Sequence, residues 1–278
     1  MTKKALVTGS STGIGRSTAL HLAQRGWHVF AGVRKQADAD ALTADAEGTV
    51  EPLLLDVAKE DSIAAGLEHI RGAGDGTLDA LVNNAGVYIG GPLELMKAEQ
   101  IRQTMAVNVT GLLLLTQACL PLLRASQGRI VNISSISGLI AMPGVSVYAA
   151  SKHAVEAVTD SLRVELGPFG IKVIAVEPGG VKTPIWNKGA KRDAAAREDA
   201  ATAKLRELYA PIVRLLEQLN AKPGGLPPEA LAEVVTEALE SADPKNRYLV
   251  GKDAKALKLL TRLPDGLRDR AIAAKLGR

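Results

Sequence analysis

Ala5-Leu6-Val7-Thr8-Gly9-Ser10-Ser11-Thr12-Gly13-Ile14-Gly15 carries three apolar residues straight into a glycine-rich turn, and an amphipathic stretch from Ile14 to Arg25 follows at once. A short apolar strand, a turn and a helix in that order form the front half of a βαβ unit. Glycines in such a turn permit tight bending and close approach of the backbone to a ligand. The unpaired N–H groups and the dipole of the helix start attract an anion. The spacing is G-x-x-x-G-x-G, at Gly9, Gly13 and Gly15, rather than G-x-G-x-x-G. Its place between a strand and a helix makes the turn, with Ser11, Thr12 and Ile14, a pyrophosphate cradle.

The same alternation continues downstream. His28 to Val33, Val50 to Leu55, Ala80 to Val82, Arg129 to Ser134 and Lys172 to Val176 read as strands. Ala37 to Ala46, Asp61 to Ile70, Glu99 to Leu123 and Val147 to Leu166 read as helices between them. Strands this short and uniformly apolar suit a parallel sheet covered on both faces. The predicted class is α/β, a Rossmann-type doubly wound parallel sheet. After Val176 the pattern changes. Residues 184–228 hold no obvious strand, and Leu205, Leu208, Tyr209, Ile212, Leu215, Leu216 and Leu219 recur at helical spacing. This insertion is expected to be a helical lid over substrate, with plain core packing an equal explanation of its apolar face. Pro227-Pro228-Glu229 opens another helix to about Glu240, and Tyr248 to Val250 looks like a last strand. Residues 1–278 are read as one domain, closed by a basic tail over 252–278.

Composition bounds the function. The chain is long enough to bury a large core, with 46% hydrophobic and 23% charged residues. Cys119 is the single cysteine, so no intramolecular disulfide can form and a reducing compartment is expected. Met1-Thr2-Lys3-Lys4 runs directly into the first strand, leaving no room for a signal peptide. No run of 18 apolar residues is seen, because Thr116, Gln117 and Pro121 break the stretch from Gly111 to Leu123. The expected location is therefore cytoplasmic. Net charge is +4, and Lys252 to Arg278 alone holds eight Lys/Arg against three Asp. With 3% aromatics to stack on bases, nucleic acid is set aside. The tail could rest on an anionic membrane, but Pro264 and Gly266 interrupt it, and a solvated helix packed on its own subunit is the preferred reading. Neither an HExxH pair nor a Cys/His cluster exists, so no metal is implied.

The end of the second strand bears on the choice of dinucleotide. A carboxylate there favours NAD through the ribose hydroxyls, whereas arginine favours a 2′-phosphate. The sequence has Gly32-Val33-Arg34-Lys35, which points to NADP(H) over NAD(H) unless both cations are merely solvated. Farther on, Tyr148 and Lys152 stand four apart and share one helix face. They follow Asn132-Ile133-Ser134-Ser135 at a strand's C-terminal end, where open α/β sheets bind ligands.

These residues resemble the short-chain dehydrogenase/reductase family over about Lys3 to Thr183. The resemblance rests on Thr8 to Gly15, Asp56-Val57, Asn83-Asn84-Ala85-Gly86, Asn108, Ser135 with Tyr148 and Lys152, and Glu177-Pro178-Gly179-Gly180-Val181-Lys182-Thr183, in that order. It implies a seven-stranded sheet of order 3-2-1-4-5-6-7 and hydride exchange between nicotinamide and a carbonyl or alcohol. By position, Tyr148 would be general acid for reduction and general base for oxidation, its phenol made more acidic by Lys152 and the nicotinamide charge. Lys152 would also hold the nicotinamide ribose, Ser135 would donate to the substrate oxygen, and Asn108 would hold a water in a proton relay. Ser134 is the rival to Ser135. Asp56 and Val57 would meet the adenine, while Asn83, Ala85 and Gly86 would form the cofactor floor, with tying strands together a further role open to Asn83. Pro178, Gly179, Val181 and Thr183 would meet the carboxamide and pyrophosphate.

Glu177 stands where most of the family has Asn before Pro-Gly. With Ser161 to Leu166 it resembles the retinol and hydroxysteroid dehydrogenase branch, which implies an apolar substrate. His153 points about 100° away from Lys152 on the helix and is read as structural. Such a family implies a homodimer or homotetramer. The alternatives are an NAD(H)-dependent dehydrogenase of a small hydroxy compound, a same-scaffold enzyme of another class, or a non-catalytic dinucleotide-binding regulator.

Overall fold

The computed structural model describes residues 2–73, 75–185, 200–221 and 224–274. Seven parallel strands form one sheet in the order β3-β2-β1-β4-β5-β6-β7. They are β1 (Lys4–Thr8), β2 (His28–Val33), β3 (Val50–Leu54), β4 (Ala80–Asn83), β5 (Arg129–Ile133), β6 (Lys172–Pro178) and β7 (Arg247–Val250). The chain starts in the middle of the sheet, where Ala5 lies beside Val29 on one side and Ala80 on the other. It winds outward to β3, then returns past β1 to build the second half. The order reverses between β1 and β4, and their C-terminal ends open the crevice where such sheets bind ligands.

Alternation along the central strands divides the core. Ala5 and Val7 join Leu22, Val29, Val131, Ile174, Leu231 and Val235 on one face, covered by α1 (Gly13–Gln24) and the helix Pro228–Glu240. Leu6 turns to the other face with Phe30, Leu67, Leu81, Leu115, Leu123 and Ile130. That face is covered by α3 (Glu60–Gly72), α5 (Gly111–Ser126) and α6 (Ser146–Leu166); α2 is Gln36–Ala44 and α4 is Ala98–Met105. Burial on both faces explains why the strands read as unbroken apolar runs. Pro52 is tolerated because β3 is an edge strand.

One feature departs from the expected pattern. α4 and α5 are joined by a π-helical turn, Ala106–Thr110, that carries Asn108. Pro121 lies inside α5 without ending it, as the helix expected over Glu99 to Leu123 requires. The continuous helix Ala98–Ser126 is 29 residues long and contains an 18-residue window of mean hydropathy 1.7, long and apolar enough by composition to cross a membrane, although half of that window is buried in the fold. Thr116 faces inward to a hydrogen bond, and the helix continues through all three.

Of the expected lid over 184–228, residues 186–199 and 222–223 lie outside the described residues. The described part forms the helices Ala200–Leu208 and Ala210–Ala221. Leu216 is buried and Ile212 half-buried against Gly144, whereas Leu208 is 64% exposed, so the apolar stripe is only partly used. The side chain of Leu219 falls outside the description. Tyr209 donates a 2.8 Å hydrogen bond to Glu94 Oε2 and ties this region to the turn Leu93–Leu95. The tail folds as Lys252–Leu260 and Asp265–Ala274, divided before Pro264 and Gly266 as their chemistry requires, and 275–278 lie outside the description.

A buried polar chain fixes the strands beside the crevice. Asn83 Nδ2 donates to Thr116 Oγ1 and to Asn132 Oδ1, both at 2.9 Å, and Asn132 Nδ2 donates to Thr159 Oγ1 at 2.9 Å. Removing one member leaves its partners dry and unpaired. Asn132→Ala is expected to cost about 2–3 kcal/mol of stability, read as a lower midpoint with unchanged slope in urea unfolding. A midpoint equal to the parent's would mean that the network contributes nothing net.

Candidate active site

The glycine turn after β1 is shaped by what a side chain would strike. Gly9 and Gly13 have φ of +67° and +60°, a left-handed conformation that favours glycine. A Cβ on Gly15 would fall 2.3 Å from Asn84 Nδ2 and 2.5 Å from Gly9 O. Asn84 anchors the turn from β4 by donating to Thr8 O at 2.8 Å. Thr8 Oγ1 in turn accepts from the N–H groups of Asn84 and Ala85, at 3.0 and 2.9 Å. Thr12 caps α1 without any side-chain hydrogen bond, and the first turn holds no acidic residue. The N–H groups there are left for an anion, which fits a dinucleotide pyrophosphate.

A cleft runs over this turn, lined by Gly9, Ser11, Thr12, Gly13, Ile14, Arg34, Asp56, Val57, Ala85, Gly86 and Thr183 among the expected residues. Arg34 is exposed at its rim, on the turn between β2 and α2. Asp56 uses Oδ1 to accept from Ala58 N at 3.1 Å, which shapes the turn into α3. Thr183 reaches across to the turn, its methyl 2.9 Å from where a Gly13 Cβ would stand.

The structure does not bring every expected residue to the cleft. Of the two roles open to Asn83, its amide takes the one that ties strands, spent inside the sheet on Thr116 and Asn132, and Asn84 lines the cleft wall. Gly15 serves by letting Asn84 pass. Val181 is buried in a bridge to Leu226. Pro178 ends β6, and Gly179 N donates to Val250 O at 2.9 Å.

The reactive cluster sits beyond the cleft, at the ends of β4 and β5. β5 stops at Ile133, and Ser135 turns the chain while accepting from Ser137 N at 3.1 Å. α6 then presents Tyr148 and Lys152 one turn apart. Ser135 faces the Tyr148 hydroxyl and favours its ionised form. Ser134, the rival, is buried with an unpartnered hydroxyl, and its N–H is taken by Val176 O. Lys152 is buried, its ammonium donating to Ile133 O at 2.8 Å and lying 5.8 Å from the Tyr148 ring centre. Gly86 connects cleft and cluster: a Cβ there would be 3.5 Å from Asn108 Oδ1 and 4.0 Å from Lys152 Nζ.

Asn108 is buried in the π turn, whose widened backbone swings its amide toward the residues after β4. Oδ1 accepts from Val87 N at 2.8 Å, and Nδ2 donates to Val87 O and Ser151 Oγ, both at 3.0 Å. Asn108 thus holds the cleft floor against α6. His153 is exposed and engages Ala149 O of its own helix at 2.9 Å, a local role.

Burial dominates the electrostatics of the pair in the chain alone. Burial pushes the Tyr148 hydroxyl up to about 12, and the facing Ser135 only partly opposes it. Burial also draws the Lys152 ammonium down to about 8, with the Glu156 charge acting the other way. In the chain alone, desolvation outweighs any acidifying effect of Lys152, and Tyr148 is a firmly protonated donor.

Three residues of this region carried no legible signal. Tyr88 lines the cleft and packs edge-on against Tyr148, ring centres 5.1 Å apart. Asn84 lines the cleft and braces the phosphate turn through Thr8 O. Asp253, 74 residues beyond Gly179, accepts from Gly180 N at 2.6 Å and fills the space above both glycines. Only the fold brings the tail helix to that loop.

The comparisons agree with this geometry. Residues 3–194 match the short chain dehydrogenase family. The chain is 36% identical over 273 residues to an NADPH-dependent 3-dehydrocapnine reductase of Ornithobacterium rhinotracheale, covering 96% of this chain and 94% of that protein. It is 37% identical over 276 residues to 17-beta-hydroxysteroid dehydrogenase type 6 of Bos taurus, covering 96% and 86%. A short-chain dehydrogenase structure from Streptomyces avermitilis superposes with a TM-score of 0.79 at 33% identity, covering 99% and 94%. The chain belongs to the short-chain dehydrogenase/reductase family, in its retinol and hydroxysteroid dehydrogenase-like branch, and is an NAD(P)-dependent oxidoreductase.

Proposed function

We propose that this enzyme interconverts a ketone or aldehyde and an alcohol with NADP(H) in preference to NAD(H), on an apolar substrate, in the cytoplasm. The observation that carries the reading is the grouping of Tyr148, Ser135 and Lys152 one glycine away from a dinucleotide-sized cleft. When bound there, the nicotinamide supplies or accepts the hydride. Tyr148 delivers a proton to the carbonyl oxygen during reduction, a direction suited to its high pKa. Ser135 donates to the same oxygen and stabilises its developing charge. Lys152 holds the ribose hydroxyls and replenishes the proton, and Asn108 keeps the floor in place for that relay.

Arg34 supports NADP(H), since it stands at the cleft rim with no carboxylate at the end of β2. The reductase relative named above, described as NADPH-dependent, supports it too. An apolar substrate is favoured by the 17-beta-hydroxysteroid dehydrogenase relative named above. We read residues 1–278 as one domain whose described lid helices reach Glu94 and Gly144, and expect a homodimer or homotetramer. The cytoplasmic location draws support from Cys119, a fully buried thiol whose pKa burial raises to about 12.

Tyr148→Phe is expected to lower kcat about 10²- to 10⁴-fold while NADPH still binds, measured by steady-state kinetics and by fluorescence titration of the nucleotide. Turnover near the parent's rate would reject Tyr148 as proton donor. Arg34→Asp should move the NADP/NAD ratio of kcat/KM toward NAD by about 10- to 100-fold. An unchanged ratio would mean that the 2′-phosphate is read elsewhere.

A further inference from the structure

The helix face that presents Tyr148 and Lys152 continues one turn farther to Glu156, which is 7% exposed. β6 lays Glu177 against it, completely buried, so two carboxyl groups meet behind the reactive lysine. Arg247, at the start of β7, reaches both. Its Nη2 lies 3.1 Å from Glu156 Oε2 and its Nε 2.9 Å from Glu177 Oε1. Even so, Glu156 Oε1 and both Glu177 oxygens lack a hydrogen-bond donor among the described residues. The guanidinium attracts Glu177 without pointing a hydrogen at it.

Two carboxylates confined together cannot both ionise cheaply, and a single proton held between them supplies the missing donor. In keeping with this, burial and the Glu156 charge lift the Glu177 carboxyl to about 7. The surrounding charges are few. Asp160, on α6, is answered by Arg163 at 2.6 Å and Arg247 at 2.7 Å. Lys258 of the tail helix attracts Glu177 from the far side. Toward the reaction there are only Lys152 and the buried hydroxyl of Tyr148. Lys152 itself touches a neutral carbonyl, Ile133 O, so the countercharge along its own helix face is Glu156. The packing is close: a Cβ on Gly138 would meet Lys152 O at 2.9 Å and Glu156 Cγ at 3.0 Å.

We propose that Glu156, fixed by Glu177 and Arg247, is a positioning residue of the reaction, whose carboxylate keeps the Lys152 ammonium protonated. Glu177 holds the proton that allows the second carboxyl to stand there, and it releases that proton as the pH rises, strengthening the countercharge when Lys152 most needs it. This rests on the role given to Lys152 above.

The test is a ¹³C NMR titration of the full chain labelled at lysine Cε, without nucleotide, beside pH profiles of NADPH-dependent carbonyl reduction. Glu156→Gln should lower the Lys152 midpoint by about one pH unit and start the alkaline loss of activity equally earlier. Glu156→Asp should restore most of both. An unmoved midpoint in folded Glu156→Gln overturns the proposal. If that variant fails to fold, Glu177→Gln decides, since its fixed neutral amide should abolish an inflection near pH 7 in the Lys152 signal, and persistence of that inflection overturns the proposal. Retained turnover in Tyr148→Phe would instead overturn the reaction assignment and leave the lysine titration standing.

Discussion

An ammonium group taken out of water must be compensated by what surrounds it, and most of this molecule's reactive half is arranged around one such group. Lys152 is 6% exposed, touches a single backbone carbonyl at 2.8 Å, and keeps its charge near neutrality because Glu156 stands behind it. That requirement fixes where β5 must end, since Ile133 supplies the carbonyl. It also fixes the face that α6 turns inward, because Tyr148, Lys152 and Glu156 recur at i, i+4 and i+8. Once the face is fixed, Ser135 has one place from which to reach the Tyr148 hydroxyl.

The phosphate turn answers to a different constraint. There the backbone itself is the binding group, so what matters is the room left by absent side chains. Asn84 braces the turn from β4 and passes through the space that a Gly15 Cβ would fill. Gly86 gives the same kind of room between the cleft and Lys152. The two halves of the site meet at glycine because a larger residue would separate the nucleotide from the proton donor.

Covered faces and the Tyr148–Lys152 face were legible because each follows from a local period, whereas strand order was legible only through the family resemblance. The long helix was legible through Thr116, Gln117 and Pro121 because its apolar period outlasts them, and Thr116 is paired inside the fold. The π turn at Asn108 leaves no local trace in composition. Asn83 and Asn84 are adjacent and chemically identical, so only the alternation of a strand ending could tell which one enters the cleft. Asp253, Arg247 and Glu156 were out of reach for a simpler reason: Arg247 and Asp253 lie far along the chain from the Glu156 and Gly180 they meet, and their charges acquire meaning only when β6 and β7 pair.

That last pairing has a consequence for the order in which the protein matures. The phosphate turn, its brace at Asn84 and strands β1 to β4 are all complete within the first 84 residues. Arg247 and Asp253 come more than 160 residues later, and they pair with Glu177 and clasp Gly180. During synthesis a chain can therefore acquire its phosphate turn well before its chemistry is tuned. The final strand and the helix behind it act as the closing step that turns a holder of dinucleotide into a finished catalyst.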